Sequence, residues 1–324
     1  MMYLKVVIGF VLLLVAAEFM VRGAVALAKK FGVSPLVIGM TVVAIGTSAP
    51  ELVVGLQAGL SGSPGLALGN VIGSNIANVL LILGAAGLIA PIVSKHGALL
   101  GDAVVLMAGS ILFAFFCTQG QIGGLAGGVL VLALVVFLYL SYRREHDHGG
   151  ADAELHVEEV EEIGGLPDGT FVVWLALLGG MAGTIYGADL LVDGGVDIAR
   201  DYGVSEEVIG LTLIALGTSL PELAASVVAA LRGHADVAIG NVVGSNMFNI
   251  LGISGVVAMV TPLPVSSQII SFDLWVMLGA TTIMLPILLW GWRLSRPSAV
   301  LFLALYCGYI TMQAVGVEQV LASF

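Results

Sequence analysis

The stretch Gly46–Gly84, which reads GTSAPELVVGLQAGLSGSPGLALGNVIGSNIANVLLILG, occurs twice in this chain. The second copy, Gly217–Gly255, reads GTSLPELAASVVAALRGHADVAIGNVVGSNMFNILGISG. The copies align without a gap at an offset of 171 residues, and roughly half of their positions are identical. An internal repeat of this kind predicts the architecture before any single residue does. The similarity continues upstream, where Glu18 aligns with Asp189 and Gly23 with Gly194.

The composition is that of a membrane protein. The chain of 324 residues is 59% hydrophobic and 10% charged, and a soluble domain of this length needs far more charge to cover its surface. Several apolar runs reach the roughly 20 residues that a helix needs to cross a bilayer. The net charge of −11 argues against nucleic acid as a partner. We therefore expect an integral protein of the plasma (inner) membrane, with the lipid bilayer as its partner and with no cofactor.

Ten apolar segments predict an all-α polytopic membrane protein with ten transmembrane helices. They lie at about 3–27, 35–60, 65–90, 98–118, 121–142, 170–198, 206–231, 236–260, 269–292 and 298–320. Each half has five crossings, so the second half enters the membrane from the opposite side and the repeats are inverted. The predicted divisions are a first five-helix repeat at 1–142 (motif 46–84), an acidic linker at 143–169, and a second repeat at 170–324 (motif 217–255).

Lys and Arg predict the orientation, because cytoplasmic loops carry an excess of positive charge. With the N-terminus outside, the outer side holds only Lys5 and Arg200; Arg22 lies within the first helix and is not counted. The inner side then holds Lys29, Lys30, Lys95, Arg143, Arg144, Arg232, Arg293 and Arg296. Both termini should therefore be external and the linker cytoplasmic. We expect a solvated, flexible linker; a weak metal sensor built from His146, His148, His156 and nearby acids is the alternative, although it lacks EF-hand spacing.

Glu51 and Glu222 lie midway along apolar segments, at equivalent positions of the two copies. A carboxylate at bilayer depth is costly and by default indicates a functional site. Inverted symmetry would bring both to the midplane, where two carboxylates repel each other unless a cation or protons lie between them. No Lys or Arg occupies the middle of the core segments. The pair therefore predicts a cation site.

The residues around each acid supply oxygen ligands only. Pro50 and Pro221 should break their helices, which predicts freed main-chain carbonyls at Ala44 and Ala215. Hydroxyls three and four residues before each Glu share its helix face, and a Ser and an Asn four apart follow on the next segment. Such a set suits hard cations such as Ca²⁺ and Na⁺. The predicted ligands are Ala44, Thr47, Ser48, Glu51, Ser74, Asn78, Ala215, Thr218, Ser219, Glu222, Ser245 and Asn249.

Two further motif features are predicted to support the site rather than bind ions. Small residues four apart let helices approach closely, and this pattern occurs at Gly69 and Gly73 and again at Gly240 and Gly244. We expect these glycines to serve packing. Four motif asparagines are predicted to cap or cross-link the broken helices: Asn70, Asn75, Asn241 and Asn246.

The doubled pattern GTSxPE followed by GNVxGSNxxN resembles the alpha-repeats of the sodium/calcium exchanger branch of the calcium/cation antiporter superfamily. The resemblance covers nearly the whole chain. It implies that the twelve ligand positions line a cluster of sites, with calcium shared by Glu51 and Glu222 and sodium in flanking sites. It also implies that the first and sixth helices slide across a rigid core. We expect a secondary antiporter, not an enzyme, that exchanges Na⁺ for Ca²⁺ by alternating access and acts as a monomer.

Other functions stay open at this point. The nearest is a proton-coupled calcium/cation exchanger, because the same two acids would carry protons instead of Na⁺. The hydroxyl-rich GTSxPE core resembles the sodium branch more than the GNAxE-type core of the proton branch. A passive cation channel would show bulk flux instead of coupled counterflow, and a membrane scaffold would not need paired acids.

The first prediction concerns topology. Single cysteines placed in the linker near Glu158 should be protected from a membrane-impermeant reagent in intact cells, whereas a cysteine replacing Phe324 should react. The physical reason is the distribution of Lys and Arg between the two sides. Labelling of the linker from outside would overturn the orientation.

The second prediction concerns potassium. The Asn78 and Asn249 amides each supply an oxygen but no negative charge to offset an additional monovalent ion, and the potassium-dependent exchangers that the chain resembles characteristically carry Asp at the position of Asn249. Na⁺-driven Ca²⁺ flux into proteoliposomes should therefore be unchanged when K⁺ is replaced by choline. An absolute requirement for K⁺ would contradict this.

Overall fold

The structure is a computed structural model, and it describes residues 2–92, 100–148, 169–202 and 215–317. The described chain is nearly all helical. Its α-helices are Met2–Phe31, Pro35–Ile38, Ala44–Thr47, Ala49–Leu60, Pro64–Ala77, Leu83–Ile89, Leu100–Thr118, Gly124–His148, Thr170–Asp201, Ala215–Gly217, Leu220–Leu231, Ala235–Met247, Ser254–Val260, Leu274–Trp290 and Arg296–Val315. Wider π-helical turns occupy Gly39–Val43, Asn78–Ile82, Phe248–Ile253 and Ile269–Asp273. Two short strands, Gln121–Ile122 and Leu263–Pro264, pair in antiparallel fashion.

Eight described helices are long and apolar enough to cross a membrane, or nine if the pair Pro35–Thr47 and Ala49–Leu60 is counted as one span. Each of these matches a predicted segment. The start of the seventh predicted segment, at 206–214, lies outside the described residues, as do Lys95, Phe324 and the linker from 149 to 168. The protein is therefore an integral membrane protein of helices, and the count of ten stays a prediction.

The chain forms two compact units. The first contains Met1–Ser48 and Tyr139–Gly244, and the second contains Ala49–Leu138 and Ser245–Phe324. Each unit therefore combines segments from both repeat copies. Two of the three boundaries fall inside the doubled motif, after Ser48 in the first copy and after Gly244 in the second; the third follows Leu138. The predicted ligands are divided between the two units accordingly.

Glycines bring the two longest helices of the first unit into backbone contact. A Cβ built on Gly9 would lie 2.6 Å from the main-chain N of Leu191, and one built on Gly180 would lie 2.5 Å from that of Met20. Met2–Phe31 and Thr170–Asp201 therefore pack as a close antiparallel pair. The two contacts are equivalent in the repeat, because Gly9 aligns with Gly180 and Met20 aligns with Leu191 at the offset of 171 residues.

The second glycine pattern also serves packing in the first unit, as predicted for it. A Cβ on Gly240 would lie 2.5 Å from the carbonyl oxygen of Leu36, and one on Gly244 would overlap the carbonyl oxygen of Met40. For Gly69 and Gly73, no atom of the described residues lies within 4 Å of a built Cβ. The packing role therefore has support in one copy only.

The turn between the first two segments follows from its sequence. Gly32 ends the first helix with φ +63°, a conformation that glycine adopts at low cost. Ser34 caps the next helix, with its Oγ 3.4 Å from the Val37 N–H, and Pro35 occupies the first helical turn, where its missing N–H is not needed. This turn fixes where the segment that carries Thr47 and Ser48 begins.

The helix pair generates a stability prediction. Gly180→Ala should lower the melting temperature of the detergent-solubilised protein, because the new methyl group would force two backbones apart, and overpacking of this kind costs about 1–3 kcal/mol. Gly179→Ala is the matched control, since no described atom lies within 4 Å of its built Cβ. Equal melting temperatures for the two variants would refute the close packing.

Candidate functional site: buried oxygen ligands in both repeat copies

The predicted helix breaks fall at equivalent residues. Ser48 has φ −84° and ψ 7°, and Ser219 has φ −87° and ψ 3°. Both lie in the sparsely populated bridge region, where many active-site residues occur. Pro50 and Pro221 account for the breaks, because each lacks an N–H and its ring clashes with the preceding turn. The broken backbone brings two hydroxyl-bearing residues and one carboxylate together within a few residues of each break.

In the first unit, Glu222 is 1% exposed and its carboxylate is held by a neutral donor. The Ser48 hydroxyl donates to Glu222 Oε1 at 2.8 Å, whereas Glu222 Oε2 has no hydrogen-bond partner. None of the ion pairs between described residues involves Glu222. A buried carboxylate without a basic partner is stable only when a proton or a bound cation neutralises it. This carboxylate therefore fits a cation-binding role.

The threonines of the two copies have different surroundings in the first unit. Thr47 is 1% exposed, and its hydroxyl donates to Asn241 Oδ1 at 3.3 Å and lies 3.4 Å from the Ala44 carbonyl oxygen. The Thr218 hydroxyl oxygen is buried and makes no hydrogen bond. Ser219 is buried at 2% exposure. Four hydroxyl-bearing predicted ligands thus surround the two breaks in this unit.

In the second unit, the predicted ligands Glu51, Ser74, Asn78, Ser245 and Asn249 are all buried, with at most 4% exposure. Asn78 Nδ2 donates to Asn246 Oδ1 at 3.0 Å, which leaves Asn78 Oδ1 without a donor. Ser245 Oγ and Asn249 Oδ1 also make no hydrogen bond. Because a buried polar atom without a partner is rare and costly, these oxygens have lone pairs available to a bound cation.

The two asparagine ligands also share a backbone distortion. Asn78 begins one π-helical turn and Asn249 is the second residue of another. Their carbonyl oxygens accept from the N–H groups of Leu83 and Ser254, five residues further on. Single π turns inside α-helices are frequent at functional sites. Neither turn was predicted, because no residue type specifies a π turn.

One predicted detail is wrong. The Ala44 carbonyl is not freed by the break, since it accepts from the Ser48 N–H at 3.0 Å. Pro50 removes only the bond to Gly46, four residues earlier, whereas the Ser48 N–H keeps the ordinary helical bond to the Ala44 oxygen. A carbonyl oxygen has a second lone pair, so Ala44 stays a predicted ion ligand. The side chain of Ala215 lies outside the described residues.

The predicted supporting asparagines have separate roles. Asn241 and Asn246 each bond to a residue of the other repeat copy, as expected for a cross-link. Asn75 instead donates to the Val71 carbonyl of its own helix at 2.7 Å, and Asn70 Nδ2 has no partner. Ser226, which accepts from Asn241 at 3.0 Å, was not singled out from the sequence.

The sequence reasoning also missed a second pair of buried acids, Asp102 and Asp273, in the second unit. They are 171 residues apart, the repeat offset, which was the available signal. Asp273 accepts hydrogen bonds from Gln268, Tyr309 and Gln313. Both oxygens of Asp273 accept hydrogen bonds, whereas Glu222 Oε2 accepts none, so Asp273 is a weaker candidate for a cation ligand than Glu222.

Comparison with known proteins follows this geometry. The family described as sodium/calcium exchanger protein matches residues 2–143 and 172–315. The chain belongs to this family. The putative antiporter CaxA of Alkalimonas amylolytica is 38% identical over 296 residues, covering 90% of both chains. The sodium/calcium exchanger MaX1 of Methanosarcina acetivorans is 31% identical over 347 residues, covering 96% of this chain and 97% of MaX1. As a member of a family of exchangers and antiporters, the protein is a transporter and not an enzyme.

A solved exchanger has a similar fold. The sodium-calcium exchanger NCX_Mj, soaked with 2.5 mM Na⁺ and 0.1 mM Ca²⁺, superposes with a TM-score of 0.82 and 32% identity. The match covers 96% of this exchanger-family chain and 97% of NCX_Mj. The same exchanger soaked without Na⁺ and Ca²⁺ gives the same TM-score. The predicted family and the helical membrane fold are therefore confirmed, while the ten spans and the inverted repeat stay predictions.

Proposed function

We propose that this protein is a cation/Ca²⁺ antiporter that exchanges Na⁺ for Ca²⁺ by alternating access. One observation carries the proposal: buried oxygen atoms without hydrogen-bond donors occur at predicted ligand positions of both repeat copies, among them Glu222 Oε2, Asn78 Oδ1 and Asn249 Oδ1. Burying an oxygen atom without a hydrogen bond costs free energy, and binding a hard cation to that oxygen offsets the cost. The similar proteins MaX1 and NCX_Mj are both named as sodium/calcium exchangers, which supports Na⁺ and Ca²⁺ as the transported ions.

The ligands proposed for the transported ions are the twelve residues predicted from the doubled motif. The first unit contributes Ala44, Thr47, Ser48, Ala215, Thr218, Ser219 and Glu222. The second unit contributes Glu51, Ser74, Asn78, Ser245 and Asn249. Carboxylate, hydroxyl, amide and carbonyl oxygens are the donors that Ca²⁺ and Na⁺ prefer. Ca²⁺ is proposed to use both carboxylates.

The negative charges of Glu51 and Glu222 would couple the movement of Na⁺ to that of Ca²⁺. One Ca²⁺ or two Na⁺ neutralises Glu51 and Glu222, and a neutral loaded site can be occluded in a low-dielectric interior. The empty site carries two negative charges, which are costly to bury without compensation. The protein would therefore change access when loaded and not when empty, which is the condition for obligatory exchange in place of leak.

The proposed architecture has ten spans in two inverted five-helix repeats. The contacts of Gly9 and Gly180 support this architecture. The two glycines occupy equivalent positions in the repeat, and each packs against the residue equivalent to the other's neighbour, Leu191 or Met20. An internal two-fold axis produces such reciprocal contacts. A monomer in the plasma (inner) membrane, with external termini and a cytoplasmic linker, completes the proposal.

Proton coupling is the second candidate. The Glu222 carboxylate has neutral partners, the Ser48 hydroxyl and the nearby Thr47 hydroxyl, so a proton would neutralise it as well as Na⁺ does. The two couplings differ in which gradient drives Ca²⁺ uptake into proteoliposomes. An outward Na⁺ gradient should drive uptake at equal pH inside and outside. Uptake driven only by a proton gradient would favour the alternative.

The decisive variants are Glu51→Gln and Glu222→Gln. Each should reduce Na⁺-driven Ca²⁺ uptake roughly a hundredfold or more, because removing one partner from a buried charge interaction costs about 3–5 kcal/mol. Gln keeps the shape and one oxygen, so both variants should elute as folded protein in size-exclusion chromatography. Both should be severe, since the acids are repeat equivalents.

Two control variants isolate the role of these acids. Asp273→Asn removes another buried carboxylate, one held by its own donors, and Glu158→Gln removes a linker acid. Both should retain uptake. Near-normal uptake by Glu51→Gln or Glu222→Gln would contradict the proposed site, and equal losses in Asp273→Asn would show that any buried acid has this effect.

A further inference from the structure

The Asn241 side chain connects three parts of the first unit at once. It is fully buried. Its Nδ2 lies 3.3 Å from the main-chain carbonyl oxygen of Glu222 and 3.0 Å from Ser226 Oγ, and its Oδ1 accepts from the Thr47 hydroxyl at 3.3 Å. Both N–H groups and one lone pair of the carbonyl oxygen of the amide are therefore used.

The main-chain contact fixes which way the amide points. A carbonyl oxygen only accepts hydrogen bonds, so the Asn241 nitrogen must face Glu222 and the Asn241 oxygen must face Thr47. The reversed amide would place two oxygens against each other at the Glu222 carbonyl. Ser226 accepts the second N–H and holds the same orientation. The acceptor presented to Thr47 is therefore set by the backbone of the residue that carries the buried carboxylate.

This acceptor determines the direction of the Thr47 proton. A hydroxyl has one proton and two lone pairs, and a cation is bound by lone pairs. When the proton is directed to Asn241, the Thr47 oxygen can present a lone pair to a cation without presenting its proton. The other acceptors near Thr47 are the Ala44 carbonyl, at 3.4 Å, and the Glu222 carboxylate, so the Asn241 oxygen competes with both for the Thr47 proton.

We propose that Asn241 is a positioning residue that holds the Thr47 hydroxyl proton away from the transported cation, and that Ser226 fixes the Asn241 amide for this purpose. The inference rests on the proposed function, because Thr47 is taken to be an ion ligand. It adds two residues, Asn241 and Ser226, that do not touch the ion but determine how strongly Thr47 binds it.

The two repeat copies differ at this point. Asn70 is the equivalent of Asn241, but Gly55 stands where the second copy has Ser226. Asn70 Nδ2 accordingly has no hydrogen-bond partner. The positioning arrangement is therefore complete in one copy only, and the Asn241 contribution to ion affinity should exceed that of Asn70.

A double-mutant cycle tests the proposal, with radiolabelled Ca²⁺ binding to the purified full-length protein as the readout. Asn241→Leu and Thr47→Val should each weaken Ca²⁺ binding roughly five- to tenfold, the effect of about one hydrogen bond. The double variant should be no weaker than Thr47→Val alone, because Asn241 acts through Thr47. In flux assays, the half-saturating Ca²⁺ concentration of Asn241→Leu should rise, while maximal flux stays within about twofold of the wild type.

Matched controls separate positioning from general loss of a buried polar group. Thr184→Val removes a buried hydroxyl that donates only to the Met181 carbonyl at 2.8 Å, and Asn75→Leu removes an amide that bonds within its own helix. Both should bind Ca²⁺ like the wild type. Ser226→Ala should weaken binding roughly two- to threefold, and this effect should vanish in the Asn241→Leu background. If Asn241→Leu does not fold, the same cycle is measured with Ser226→Ala and Thr47→Val.

The outcomes are distinct. Non-additive effects of the Asn241 and Thr47 changes support the proposal. Independent effects, giving a double variant roughly 25-fold or more weaker than the wild type, overturn it while leaving the exchanger function intact. Failure of the wild type to bind Ca²⁺ overturns the proposed function and this inference with it.

Discussion

A carboxylate buried in an apolar helix without a basic partner is the constraint on which the first unit depends. Glu222 is 1% exposed and is held by the Ser48 hydroxyl. The desolvation of an uncompensated carboxylate costs several kcal/mol, so a proton or a bound cation is needed to neutralise it. The broken helix, the hydroxyls beside it and the asparagine behind it place buried oxygen atoms next to this carboxylate, as the proposed cation site requires.

The predicted ligands of the second unit combine one buried carboxylate, Glu51, with several neutral groups. Asn78 donates to Asn246 and thereby turns its oxygen away from any donor, while Ser245 and Asn249 keep oxygens without partners. Neutral oxygens stabilise a cation less than carboxylates do, but they cost less to bury when the cation is absent. A mixture of few carboxylates and many neutral oxygens therefore suits an ion that must leave as well as bind.

The division of the chain into units clarifies why the motif is doubled. Each unit contains segments of both copies, and two of the boundaries follow Ser48 and Gly244, inside the motif. Hydrogen bonds such as Ser48 with Glu222, and Asn78 with Asn246, join one copy to the other within a unit. Neither copy forms a unit by itself, so the repeats fold as intertwined halves. The reciprocal glycine contacts of Met2–Phe31 and Thr170–Asp201 follow the same rule.

The sequence by itself determined the membrane class and the family and predicted the chemical type of the ligands, because hydropathy, spacing and residue type are local properties that a repeat displays twice. Prolines beside Glu51 and Glu222 were enough to predict the helix breaks. Only the tertiary structure decided which lone pairs are used: the Ala44 carbonyl is occupied by Ser48, the Asp273 carboxylate is satisfied by its own donors, and Asn241 turns its oxygen to Thr47. Hydrogen bonds between distant segments depend on distances of a few tenths of an ångström and on the direction of single protons, which residue spacing does not specify.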